Sequence, residues 1–298
     1  MALGSLLRGS TGGRFTTFIA IDWSGAVGPR QKGIALATCA TGGSAPALVR
    51  PGHIWSRAEV LDLIRAAGPD TLIGLDLGPS LPFVDRGAYF PGWDESPADA
   101  RGLWALIERI CADDPHFAAS SFVDHSQAAR HFRRHGGRTG DLFEPGRGRL
   151  RETERAQQRM GLSPYSNLNL VGAAQVGKSS LTGMRLLHRL DGHVAIWPFD
   201  PAPASGPVVI ELYTTLAAVA AGRTRSRSKM RTHVDLDTAL IALGSQPGGG
   251  DGPITDHASD AILTAAWMRL VADREDLWRP TGLTDEIART EGWTFGVV

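Results

Sequence analysis

Three apolar runs in this chain each close on a single acid, and nothing else in the sequence constrains the fold as much. FIAID ends at Asp22, LIGLD at Asp76 and VVIE at Glu211. Short apolar runs rich in β-branched residues read as buried strands. An acid among such neighbours is costly unless a cation or a hydrogen-bond donor compensates it. A fourth acid, Asp260, lies in DHASDAILTAAWMRL, where Ile262, Leu263, Ala265, Ala266 and Leu270 give a helix its apolar side. Asp256 sits one helical turn before Asp260 on the same face, and His257 three residues before it.

The order of elements around these acids predicts an α/β fold. Strands are expected over 15–22, 33–39 and 47–50, a helix over 56–67 and a strand over 71–77. Ser56 is the expected N-cap, with Glu59 at the capping-box position. Three strands, a helix and a fourth strand suggest a mixed sheet flanked by helices. A helix is expected over 97–112, where Leu103, Leu106, Ile107 and Ile110 recur at helical spacing. Regular structure is then expected at 167–171, a helix at 180–190, strands at 193–197 and 208–213, and helices at 215–221, 236–243 and 256–272. Between the fourth and fifth strands, roughly residues 80–165 read as a large insertion rich in loops, the expected place for mobility and substrate contact. Residues 1–14 read as a flexible leader and 15–298 as one domain.

Carboxylates gathered at strand ends repel one another and have raised pKa values unless cations are present. Hard oxygen ligands of this kind suit Mg²⁺ or Mn²⁺. Two such ions can activate a water and stabilise the leaving oxygen of a phosphodiester. The expected chemistry is therefore metal-dependent phosphodiester hydrolysis, with Asp22, Asp76 and Asp260 as ligands. Glu211, Asp256 and His257 are second candidates for ligation or proton transfer. The competing local reading makes Asp22 and Asp76 turn residues and Asp256 a helix N-cap.

A first strand ending in Asp, a fourth ending in an acid and a late helix carrying HASDA (residues 257–261) resemble the ribonuclease H-like superfamily. More closely, IDWSGA, GLDLG, QVGKSSLTGMRLLHRL, WPFD and VVIELY together resemble an uncharacterised family of predicted RNase H-fold nucleases, domain of unknown function 429. The resemblance implies metal ligation by Asp22 and Asp76 at adjacent strand ends, completed from the helix by Asp260 with Asp256 or His257. It does not require Glu211.

Gly172-Ala173-Ala174-Gln175-Val176-Gly177-Lys178-Ser179 matches the Walker A pattern GxxxxGK[ST]. A genuine phosphate loop would make the protein a nucleotide-binding ATPase or kinase. Its position past mid-chain counts against that, as does Pro198, which interrupts the run before the candidate Walker B acid Asp200. The favoured reading is a glycine-rich turn and helix N-terminus whose Gly177, Lys178 and Ser179 meet a substrate phosphate. Arg223, Arg225 and Arg227, in GRTRSRSKMR with Lys229 and Arg231, read equally as a phosphate-contacting loop or a solvated one. A second basic region runs from Arg130 to Arg151. These features suit a nucleic-acid or nucleotide substrate, and a non-catalytic member of the fold is the third reading.

Lys and Arg number 31, as do Asp and Glu, so the net charge is zero and global charge predicts no nucleic-acid partner. Cys39 and Cys111 form no CxxC pair, which argues against structural zinc and fits a reducing, cytoplasmic compartment. No apolar stretch approaches the ~18 residues of a membrane span. Oligomeric state has no signature in the sequence.

Overall fold

The computed structural model describes residues 13–171, 176–224 and 229–298. Most of the expected leader, the first half of the Walker A string and the candidates Arg225 and Arg227 lie outside the described residues. The early strands form as their patterns dictate: β1 (Thr17–Asp22), β2 (Ala35–Ala40), β3 (Ala47–Leu48) and β4 (Thr71–Asp76). Between β3 and β4 runs α1 (Arg57–Arg65), opened by the capping box in which Ser56 accepts from the Glu59 backbone and Glu59 accepts from that of Ser56.

After β4 the chain forms α2 (Ala100–Ile110), α3 (Ser120–Asp124), α4 (Glu152–Arg159) and α5 (Val176–Leu190). Then come β5 (Ala195–Ile196), β6 (Val208–Glu211), α6 (Thr214–Ala220), α7 (His233–Ala242), α8 (Asp256–Val271), α9 (Glu275–Trp278) and α10 (Asp285–Thr290). The helix expected from residue 97 begins at Ala100, because the Asp99 carboxylate caps the Gly102 N–H at 2.8 Å. The segment around Asn169 is no strand: its only ladder contact is one bridge to Arg133.

The six strands make one mixed sheet in the order β3-β2-β1-β4-β6-β5. β1 pairs antiparallel with β2 and parallel with β4, while β6 runs parallel to both β4 and β5. Period-two alternation sorts side chains to two cores. Ile21, Ile73, Leu75 and Val209 face α1, α2 and α5, whose Ile64, Leu103 and Leu181 fill that side. Ala20, Leu72 and Ile210 face α8. Small residues on α8, Ala261, Ala265 and Ala266, let it lie close against β1 and β2, and α6 and α7 cover its outer side. It is therefore buried on nearly all sides rather than along a single stripe.

The insertion is better packed than its composition suggests. Phe90, Phe122 and Phe132 form an edge-to-face cluster with ring centroids 5.7–6.3 Å apart. The Trp104 indole donates to the Pro79 carbonyl at 2.7 Å. Arg149, expected in a basic loop, is buried: it pairs with Asp85 and donates to the carbonyls of Pro82, Ala88 and Tyr89. Guanidinium groups clamp the segment that aliphatic residues do not. Among the described residues no helix is long and apolar enough to cross a membrane.

Candidate functional site

Asp22 and Asp76 are register partners on the parallel strands β1 and β4, so their Cα atoms stand on one rung, about 4.8 Å apart by sheet geometry. Glu211 pairs with Leu75, one residue out of step with that rung. All three line a cavity of about 570 Å³ at this end of the sheet. Helix α8 brings His257 to the same wall, where Nδ1 meets Asp22 Oδ2 at 2.8 Å. Asp260, one turn further along, is buried behind Lys229, whose ammonium it binds. Lys229 itself forms part of the cavity wall.

The electrostatics follow from this crowding. Burial, then Asp22 and Asp260, push the Asp76 carboxyl well above its ordinary range. Asp76 has neither hydrogen bond nor ion pair with another described residue. Burial also raises Asp260, against the opposing pull of Lys229. For Lys229, desolvation works against the charge, but Asp260, Asp22 and Asp256 outweigh it and raise the ammonium. The hydrogen bond to Asp22 raises His257.

Glu211 belongs to a different arrangement. Arg151 donates to its two carboxylate oxygens at 2.6 and 3.0 Å, and the Thr294 hydroxyl donates at 2.9 Å. The same guanidinium binds Glu154 at 2.5 Å, so one buried cation is shared by two buried acids. Burial still raises Glu211, opposed by Arg151. Its oxygens are committed to this network, which makes it a fixed part of the wall. Asp256 does not line the cavity; it lies 3.9 Å from Arg231, and Thr255 rather than Asp256 caps α8.

The sequence reading had not linked Arg151 to Glu211, nor Lys229 to Asp260. The Arg-x-x-Glu spacing brings Arg151 to Glu154, to which the Arg151 N–H donates at 2.7 Å, and carries no signal of Glu211. Trp23 is core: it is buried and its indole donates to Thr182 Oγ1 at 3.1 Å.

Of the Walker A residues, Gly177, Lys178 and Ser179 lie in the first turn of α5, and Ser179 reaches the cavity wall. A Cβ at Gly25 would run into the Lys178–Ser179 backbone, so the loop after β1 and the start of α5 touch because residue 25 is glycine. Among the described residues the element before α5 is the helix α4, whereas a phosphate loop requires a strand there. Arg223 does not line the cavity; it pairs with Asp235 at 3.6 Å and donates to the Lys229 carbonyl at 3.3 Å.

Among the described residues no three His, Cys, Asp or Glu side chains stand in an arrangement that could hold a metal ion. Asp22 and Asp260 nevertheless act on the buried Asp76 carboxyl, and the Lys229 ammonium supplies the positive charge that opposes them. No protein-family model, no curated protein and no solved structure matches the chain.

Proposed function

We propose that this chain is a divalent-metal-dependent phosphodiesterase acting on a nucleic-acid or nucleotide phosphodiester, with an α/β fold of the ribonuclease H-like kind. The observation that carries the reading is the Asp22–Asp76 rung, with Asp260 of α8 close enough to act on the Asp76 carboxyl, which has no hydrogen bond or ion pair with another described residue. Asp22, Asp76 and Asp260 would hold Mg²⁺ or Mn²⁺. When bound, such an ion polarises a phosphoryl oxygen and makes water a nucleophile at neutral pH.

The chain's own residues divide the remaining work. His257 orients Asp22 through Nδ1 and, half-exposed at the cavity wall, can hold or release a proton there. Lys229, on leaving Asp260, offers its ammonium to a phosphate oxygen. Arg151 keeps Glu211 in place as a boundary of the cavity.

The test is a calorimetric Mn²⁺ titration of the wild type and of Asp22→Asn/Asp76→Asn, followed by hydrolysis of bis(p-nitrophenyl) phosphate. Binding and hydrolysis in the wild type, both lost in the double variant, are the expected results. A wild type that binds no Mn²⁺ would overturn the reading.

A further inference from the structure

Two recesses adjoin the acidic cavity, and both are lined by cations. The first, about 170 Å³, shares Gly25 and Ala26 with it. The second, about 420 Å³, shares His257. We propose that these recesses hold phosphates next to the scissile bond, so that the substrate is a polynucleotide strand cut internally. This deepens the phosphodiesterase reading and rests on it.

In the first recess the one acid, Asp124, is shared by Arg134 at 3.0 Å and Arg138 at 3.5 Å. Two guanidiniums on one carboxylate leave a net positive charge. Lys178 projects into the same recess and has no carboxylate partner among the described residues. The wall also carries Val123, Leu170 and Leu181, an apolar surface for a base beside the cations.

The second recess has no Asp or Glu in its wall. Arg50 holds a positive φ of 51°, unusual for a side-chain-bearing residue, and its guanidinium lies 5.3 Å over the Trp55 ring. His53 is turned to Glu59 at 3.0 Å, which leaves Lys32 and Arg50 as the cations facing solvent.

A small diester carries one phosphate, which the central cavity would satisfy. Charge in a strand repeats about every 3.4 Å of helix rise. Two cationic recesses adjoining the acidic cavity offer places for the further phosphates of a strand, and an internal phosphodiester is the bond such a strand would present.

Binding of a fluorescein-labelled oligothymidylate, measured by anisotropy in EDTA across a salt series, tests this without metal or turnover. Each phosphate contact in a single strand contributes about 0.7 to the slope of log K against log salt. Lys178→Gln/Arg138→Gln and Lys32→Gln/Arg50→Gln are each expected to lower that slope by about 1.4, two such contacts. The charge-retaining Lys178→Arg and Arg50→Lys are expected to keep the wild-type slope. A wild type that does not bind the oligonucleotide, or either Gln pair leaving the slope unchanged, overturns the proposal. Because Mn²⁺ titration is a separate readout, failure here leaves the metal result standing, and failure there leaves this one.

Discussion

The Lys229 ammonium is ion-paired with the Asp260 carboxylate at a point where Asp22 and Asp256 also act on it. A protein cation thus occupies the charge environment that the acids would otherwise offer to a metal. Its side chain is 52% exposed, so the pair is worth at most about 1 kcal/mol. Lys229→Gln removes the competitor, and Mn²⁺ affinity measured by calorimetry should rise by up to about fivefold. An unchanged or weaker affinity would show that Lys229 does not compete for Asp260.

Asp76 gives the pH dependence a definite sign. A carboxyl whose folded-state pKa lies above its unfolded value holds its proton more tightly when folded. The fold therefore loses stability as pH rises from about 3.9, the unfolded value, through the raised one. In metal-free buffer Asp76→Asn should stabilise the protein by at least about 1 kcal/mol at about pH 8, and the gain should vanish below about pH 4. Urea unfolding at both pH values is the measurement. For the same reason wild-type Mn²⁺ binding should tighten as pH rises, since the ion must displace that proton.

Arg151 is 1% exposed and holds Glu154 and Glu211, which are 5% and 6% exposed. Arg151→Met leaves two buried acids without a cation, and a loss of about 3–5 kcal/mol is expected by urea denaturation. Adding Glu211→Gln to that variant should recover part of the loss, because it removes one uncompensated charge. If the double variant is no better than the single one, the cost lies in packing of the guanidinium instead.

Gly25 separates contact from conformation. Gly25→Ala would set a methyl group against the Lys178–Ser179 backbone and push α5 from the cavity wall, at about 1–3 kcal/mol. Gly43→Ala is the control: its nearest neighbour would be the Gly244 carbonyl oxygen at 3.9 Å, and a change within about 0.5 kcal/mol is expected. Thermal melts of the two variants compare them directly.

The strands carrying Asp22, Asp76 and Glu211, the Ser56 capping box and the helix carrying Asp260 could all be read from local pattern. Each is set by a few neighbouring residues: β-branched alternation, a hydroxyl three residues before an acid, apolar spacing along a helix. Strand pairing then puts Asp22 and Asp76 on one rung, because parallel neighbours that end together bring their last residues together. The insertion was less legible. Its loop-rich, Arg-rich composition reads as a place for mobility and substrate contact, yet Arg149 and Arg151 are buried.

Partnership among the charged groups was a matter for the tertiary structure alone. Lys229 meets Asp260 across 31 residues, Arg151 meets Glu211 across 60, and His257 meets Asp22 across 235. Nothing local distinguishes Glu211, neutralised by a buried arginine, from Asp76, which has no such partner; both simply end an apolar strand. Local pattern determines which apolar strands and helices form, since those depend on near neighbours. Which acid receives a cation depends on where α4 and α8 come to lie against the sheet, and long-range packing leaves no trace in residue spacing.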